Sequence, residues 1–161
     1  MPLPVMTVDD TRLKIVLKQL LRKSKDASTA FAEIAQVLAS SVEKNFHQEG
    51  RYLAPNSMYG GSSKWQKLAD STVANRARSG RGAHPILQVS GQLASSITTA
   101  SGPRHAQIGT SLVYGAIHQY GGKAGRGRKV TIPARPFLVV QDEDIDDALD
   151  IIARHLTRGV K

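Results

Sequence analysis

Sequence patterns typical of helices occur at both ends of this chain. Between them, glycine and proline repeatedly interrupt the sequence. Apolar side chains recur at intervals of three and four in residues 9–23, 28–50 and 145–156. Between them, residues 97–100 and 106–110 are short extended segments on either side of a turn-rich Ser-Gly-Pro-Arg sequence. This order predicts an α+β fold in which a small antiparallel sheet packs with a long N-terminal helix and a C-terminal helix.

Domain organisation follows from the length and from one break in the helical pattern. The chain has 161 residues, close to the size of about 100 to 150 residues that is usual for one domain. The polar stretch at residues 25–28 interrupts the apolar periodicity. We therefore predict an N-terminal helical segment at residues 1–27 and a single α+β domain at residues 28–161.

Local patterns predict the details of these elements. The first helix is expected to begin at Asp9, with Thr7 and Asp10 placed as in a capping box, and the second helix has Ser28 or Thr29 as its cap. Further expectations are a loop at 50–64, helices at 70–78 and 112–119, extended pieces at 130–132 and 136–140, and a last helix with Ile145, Leu149, Ile152 and Leu156 on its apolar face. Four aromatic side chains are expected in the core: Trp65, Tyr114, Tyr120 and Phe137.

Several classes of function are excluded by residues that the chain lacks. Cysteine is absent, which removes disulfides, thiolate nucleophiles and iron–sulfur clusters. The histidines never fall at zinc-ligand spacing, and neither a P-loop nor a Gly-x-Gly-x-x-Gly sequence occurs, so no metal or other cofactor is expected. No run approaches the roughly 18 apolar residues of a membrane span. We predict a soluble, unsecreted protein that is not an enzyme.

Positive charge is concentrated in the middle of the chain. Residues 51–130 hold eleven basic side chains and one acidic side chain, Asp70, within a formal net charge of +9. Residues 131–161 hold four basic and six acidic side chains. The middle segment therefore faces a polyanion, meets an acidic surface on another chain, or forms a solvated basic face.

The densest basic run lies in the glycine-rich residues 121–129, which are expected to form a flexible loop. Its four cations are Lys123, Arg126, Arg128 and Lys129. Such cations can follow a phosphate backbone without reading bases, whereas the absence of Tyr, Phe and Trp between Gly121 and Pro136 gives no support for base stacking. A free-standing, non-catalytic, basic nucleic-acid-binding protein is therefore one hypothesis for this chain.

Two histidines define a further hypothesis, a small metal-independent nuclease that uses His105 and His118. No nucleophile or metal cluster accompanies them in the sequence. A buried, hydrogen-bonded His118 and a surface His105 are the favoured interpretation.

Two runs on either side of the basic segment carry a resemblance to a known family. Residues 114–122 are Tyr-Gly-Ala-Ile-His-Gln-Tyr-Gly-Gly, and residues 132–138 are Ile-Pro-Ala-Arg-Pro-Phe-Leu. Together they resemble the hallmark of the tailed-phage virion morphogenesis family, the tail completion proteins of Mu-like phages and prophages. The motif residues of this chain are Trp65, Tyr114, His118, Gly121, Gly122, Pro136 and Phe137. Gly115 departs from the pattern, in which alanine is usual.

The resemblance implies a structural virion protein of the phage neck or tail end, with residues 28–161 as a tail completion domain. It implies action in tail completion and head–tail joining as a homo-oligomeric ring around the DNA channel. The implied partners are other neck, connector or tail proteins, with non-specific DNA contact through the four cations of residues 121–129. The implied location is the virion, and the host cytoplasm during assembly.

Arg135 lies between two prolines that restrict the backbone on both sides. Its guanidinium is therefore held for a bidentate partner, for which carboxylates are well suited. The partner is expected on a neighbouring subunit, at the acidic helix start of residues 142–147, or within the same chain. On this basis Arg135, Asp142 and Asp144 are candidate subunit-interface residues.

Overall fold

The computed structural model describes residues 11–51 and 64–159. Its elements in chain order are α1 (Thr11–Lys25), α2 (Ser28–His47), α3 (Asp70–Arg78), α4 (Gln92–Ser95), β1 (Ile97–Gly102), β2 (His105–Thr110), α5 (Gly115–Tyr120), β3 (Gly122–Ala124), a 3₁₀ turn (Arg126–Arg128), β4 (Val130–Ile132) and α6 (Asp142–Thr157). Strands β1 and β2 pair antiparallel, and so do β3 and β4. The predicted α+β class is confirmed, although the described residues contain two separate two-stranded sheets instead of one.

Helix α2 is the central element of the fold. It contacts both strands of the β1–β2 hairpin and also packs against α6, while α1 packs against α6. Lys23 of α1 donates from Nζ to the carbonyl of His155, over 3.1 Å. The described part of the expected N-terminal helical segment therefore packs against the C-terminal helix.

Three aromatic rings form the centre of the larger core. Phe46 meets Trp65 edge to face with ring centroids 5.6 Å apart, and its ring lies 5.4 Å from that of Phe137. Val42, Ile86 and Leu93 complete this buried cluster. Aromatic pairs of this kind contribute about 1 kcal/mol beyond the area that they bury. The expectation of buried Trp65 and Phe137 is confirmed.

The expectation of buried Tyr114 and Tyr120 is wrong, since both are exposed. The short helix α5 approaches the core through Gly115, where an added Cβ would lie 2.7 Å from Thr110 Cγ2 and 3.7 Å from the ring of Phe137. Because α5 approaches the core through Gly115, which has no side chain, Tyr114 and Tyr120 lie on the outer side of this segment.

A second, smaller core joins α2 to α6 through Ala27, Ala30, Ile34 and Ile151. The predicted apolar face of α6 is partly wrong, because Leu149 is 63% exposed while Ile151 is buried. The buried side of α6 runs through Asp144, Ala148 and Ile151, so it includes a carboxylate that an apolar pattern does not mark. On this side Asp144 bonds to Ser41 of α2.

Element boundaries depart from the sequence pattern in several places. Helix α1 continues to Lys25, and its expected caps Thr7 and Asp10 lie outside the described residues, as do residues 52–63 of the predicted loop. No side chain caps α2 at Ala27. Instead, Asp26 accepts hydrogen bonds from the amide and hydroxyl of Ser28, and these bonds lower the pKa of its carboxyl group.

The glycine-rich segment 121–129 is not the expected open loop. It contains β3 and the 3₁₀ turn, and β3 pairs with β4 from Gly122 opposite Ile132 to Ala124 opposite Val130. The expected extended piece at 136–140 is not a paired strand. Its backbone groups bond mainly to side chains, which lie in the site described next.

Candidate interaction site

The two runs of the sequence motif are joined by the side chain of Gln119. Its Oε1 accepts from the amides of Phe137 and Leu138, each over 3.0 Å, and its Nε2 donates to the carbonyl of Leu138 over 2.9 Å. The amide of Arg135 also donates to the carbonyl of His118 over 2.7 Å. These bonds satisfy an irregular segment of backbone that has no strand partner.

Gly121 allows the two runs to approach each other. Its φ is 73°, and a Cβ at this position would lie 2.8 Å from the amide nitrogen of Ala134. A side chain is therefore excluded by conformation and by space at once. Gly121 sets the point at which α5 ends and the β3–β4 hairpin begins.

The carbonyl of Pro136 is bound by two core side chains. Trp65 Nε1 donates to it over 2.8 Å, and Asn45 Nδ2 donates over 3.2 Å and also donates to the carbonyl of Phe137 over 3.0 Å. Asn45 Oδ1 accepts from the amide of Arg51, and the Asn45 side chain is fully buried. Sequence reasoning missed Asn45, although its place on the apolar face of α2 beside Val42 was a usable signal.

Arg135 is buried and bonds to backbone of its own chain. Its Nε donates to the carbonyl of Gln66 over 2.9 Å and its Nη2 donates to the carbonyl of Lys67 over 3.1 Å. Burial, and then repulsion from Arg76, lower the pKa of its guanidinium. The expected bidentate carboxylate is replaced by two carbonyls, so the geometry favours the intrachain alternative for Arg135.

Asp144 is likewise buried within the subunit. Its Oδ2 accepts from Ser41 Oγ over 2.5 Å and from the amide of Gln141 over 2.7 Å, which forms one half of a capping box at the start of α6. Asp142, in the same helical turn, is exposed. Of the three interface candidates, Asp142 alone therefore lies at the surface of the described subunit.

A cleft of about 530 Å³ opens beside the motif, between α3, the segment 87–93, α5 and β4. Its apolar walls include Leu68, Leu87, Val89, Leu93, Tyr114, Val130 and Pro133. Arg76, His118 and Arg135 also line it, and no acidic side chain of the described residues does. The cleft therefore combines apolar surface with an unbalanced set of basic groups.

His118 is half-buried and lines this cleft. Its Nδ1 is buried without a hydrogen-bond partner, contrary to the expectation of a hydrogen-bonded ring. Burial, and then the positive charge of Arg135, lower the pKa of its imidazole. His105 belongs to β2 and does not line the cleft, so the two histidines of the nuclease hypothesis do not share this site.

The four predicted DNA-facing cations lie on the β3–β4 hairpin. Lys123, Arg126, Arg128 and Lys129 are all exposed. The turn is built from positive-φ residues, namely Gly125, Gly127 and Arg128. Pairing of β3 with β4 holds the cations on a structured projection rather than on an unpaired loop.

Other kinds of site are absent from the parts of the chain that the structure describes. Residues 11–51 and 64–159 contain no group of three or more histidine, cysteine or acidic side chains that could hold a metal ion. In those same ranges, no helix has the length and apolar character needed to cross a membrane.

Comparison with known proteins identifies the family. The sequence profile described as the phage virion morphogenesis family matches residues 8–157. The chain belongs to this family. No solved structure gives a significant match to it.

Curated relatives of this phage virion morphogenesis chain come from Mu and Mu-like prophages. The "Mu-like prophage FluMu G protein 2" of Haemophilus influenzae is 36% identical over 145 residues, covering 90% of this chain and 89% of the relative. The "Putative capsid assembly protein G" of Escherichia phage Mu is 30% identical over 157 residues, covering 97% of this chain and 96% of the relative. These matches support a role in phage morphogenesis.

Proposed function

We propose that this chain is a non-catalytic structural protein of the phage neck or tail end, which acts in tail completion and head–tail joining. It works as a ring-forming subunit around the DNA channel. Family membership supports the morphogenesis role, and the name of the phage Mu relative refers to assembly. The ring and its position in the neck are the finer part of the proposal.

The observation that carries the proposal is the attachment of the basic hairpin to the family motif. Gly121 leads into β3, which begins at Gly122, and β4 leads into residues 133–138 of the second run. The bonds from Gln119 therefore join the two segments that flank the hairpin, and Asn45 holds the second of them against the core. A projection with four exposed cations on a fixed base suits transient contact with phosphates that pass through a channel.

The test is to inactivate the gene in the phage or prophage that carries it. The expected result is an accumulation of unjoined heads and tails, seen by electron microscopy, with restoration when the wild-type chain is supplied. Mass spectrometry of purified virions should detect the protein, and labelling should place it between head and tail. Complete infectious particles in its absence, or virions that lack it, would overturn the proposal.

A free-standing nucleic-acid-binding protein is the second candidate, favoured by the exposed cations of the hairpin. The two candidates differ in the form of the protein that holds DNA. A channel subunit contacts DNA appreciably only when many hairpins converge in a ring, whereas a free-standing binder holds DNA as a monomer. Tight binding of a duplex by the monomer would therefore favour the second candidate.

A further inference from the structure

The basic groups of the cleft are held in place before any ligand arrives. Arg76 Nη1 donates to the carbonyls of Ala83 and Pro85, both over 3.2 Å, and Arg135 is fixed by the carbonyls of residues 66 and 67. Neither guanidinium has a carboxylate partner among the described residues. Two oriented cations and His118 thus face one cleft without an anion.

The rim of the same cleft exposes apolar side chains. Val89 is 44% exposed, Tyr114 is 41% exposed and Val130 is 57% exposed, and all three line the cleft. A cluster of exposed apolar side chains beside fixed polar groups is typical of a protein interaction site. The occupant that fits carries an apolar side chain flanked by carboxylates.

The outer face of α6 presents this combination. Leu149 is 63% exposed, and Asp146 and Asp150 are exposed within one helical turn of it. We call these three residues the α6 ridge. The ridge points away from the buried side of α6, where Ile151 packs in the smaller core.

Resting on the ring proposed above, we propose that the cleft receives the α6 ridge of a second copy of this chain. Leu149 of one copy packs against the apolar rim, and the carboxylates of Asp146 and Asp150 meet the half-buried Arg76 of the next copy, while the buried Arg135 adds positive charge to the same cleft. The occupant is argued from charge complementarity, because a described cleft lined only by basic and uncharged groups faces a ridge that carries only acidic charge.

This contact is heterologous, because the cleft and the ridge are different surfaces of the same chain. The cleft is lined by residues from 68 to 135, whereas the ridge belongs to α6. Every copy in such an assembly uses its cleft on one neighbour and its ridge on the other. Contacts of this type generate closed rings or open filaments rather than isolated two-fold dimers.

The test uses one variant that blocks each surface. Arg76→Glu reverses the charge of the cleft, and the double variant Asp146→Lys with Asp150→Lys reverses that of the ridge. In low salt, sedimentation velocity and native mass spectrometry should show assembly of the wild-type chain, with at least a tenfold weaker association of either blocked form. An equimolar mixture of the two should recover assembly, because the reversed cleft of one variant attracts the reversed ridge of the other while the unchanged cleft and ridge pair as in the wild type.

Control variants place single charge reversals off the two surfaces. Arg78→Glu lies on the exposed side of α3, and Asp147→Lys lies about 100° around α6 from Asp146. Both controls should assemble like the wild type. Urea unfolding of all variants as monomers checks that they fold.

The outcomes separate this contact from the proposed function. Unchanged assembly of the blocked variants, a mixture that does not recover assembly, or a wild-type chain that stays monomeric in low salt overturns the contact. Detection of the protein in virions would leave the neck role standing in each of these cases. Its absence from virions overturns the neck role whatever the cleft binds.

Discussion

The side chain of Gln119 pairs with the backbone of Leu138 as a neighbouring strand would. Nε2 donates to the Leu138 carbonyl over 2.9 Å, and Oε1 accepts from the Leu138 amide over 3.0 Å. One side chain thereby replaces a missing sheet partner. Gln119 precedes Gly121 in the motif, so its role explains why the two motif runs belong together although the basic hairpin separates them.

Replacing Gln119 with alanine should lower the free energy of unfolding by about 2 kcal/mol, because the Phe137 and Leu138 amides and the Leu138 carbonyl lose their partner. Urea unfolding measures the effect. Gln107→Ala, at an exposed position of β2, is the control and should change stability little. Equal stability of the two variants would show that water replaces the Gln119 bonds without cost.

Arg135→Ala should destabilise the monomer by about 2 to 3 kcal/mol, because the carbonyls of residues 66 and 67 lose charge-assisted hydrogen bonds. Arg104→Ala, at an exposed position, is the matched control. If Arg135→Ala keeps full monomer stability but prevents assembly, the intrachain interpretation of Arg135 is wrong and the subunit-interface hypothesis is favoured.

The stability of the monomer should depend on pH through His118. Its pKa is lowered in the folded state by burial and then by Arg135. The unfolded chain therefore binds this proton more readily, so the contribution is fully present above about pH 6.5 and is lost as the pH falls through the lower, folded value. Urea unfolding at a series of pH values should show a shallower acid decline for His118→Gln. Parallel profiles would contradict this assignment.

The cations of the β3–β4 hairpin should govern DNA binding by the assembled protein. Replacement of Lys123, Arg126, Arg128 and Lys129 by serine should flatten the dependence of binding on salt, by about 0.9 in the log-log slope for each phosphate that the variant no longer neutralises. The fold should survive, since all four side chains are exposed. Fluorescence anisotropy with duplexes of unrelated sequence measures the slope. Sequence-selective binding, or an unchanged slope, would argue against the channel role.

A catalytic role for the two histidines can be tested directly. The purified wild-type chain should leave DNA and RNA intact without added metal, and the double variant His105→Gln with His118→Gln should behave identically. The physical reason is that His118 lies in the cleft whereas His105 lies on β2 outside it. Hydrolysis by the wild type that disappears in the double variant would overturn the non-catalytic proposal.

Periodicity in the sequence was sufficient to predict the helices and the first hairpin. The stripes in α2 and the turn between β1 and β2 depend on neighbours within a few residues, so local patterns predict them well. The acidic first turn and the basic last turn of α6 can also be read from the sequence. They match the helix dipole, which acts only on residues near each helix end. The resemblance of residues 114–122 and 132–138 to a phage family was likewise a property of the sequence alone.

Contacts between residues distant in sequence decided which faces are buried and which partners the site residues have. Leu149 is exposed, whereas Asp144 is buried and bonds to Ser41 of α2, a contact that no local pattern records. The partner of Arg135 depends on carbonyls almost seventy residues away in the chain, and the order of residues 121–129 depends on pairing with β4. Local sequence determined which segments form helices and turns, whereas tertiary packing decided which of their faces are buried, since burial depends on partners distant in sequence.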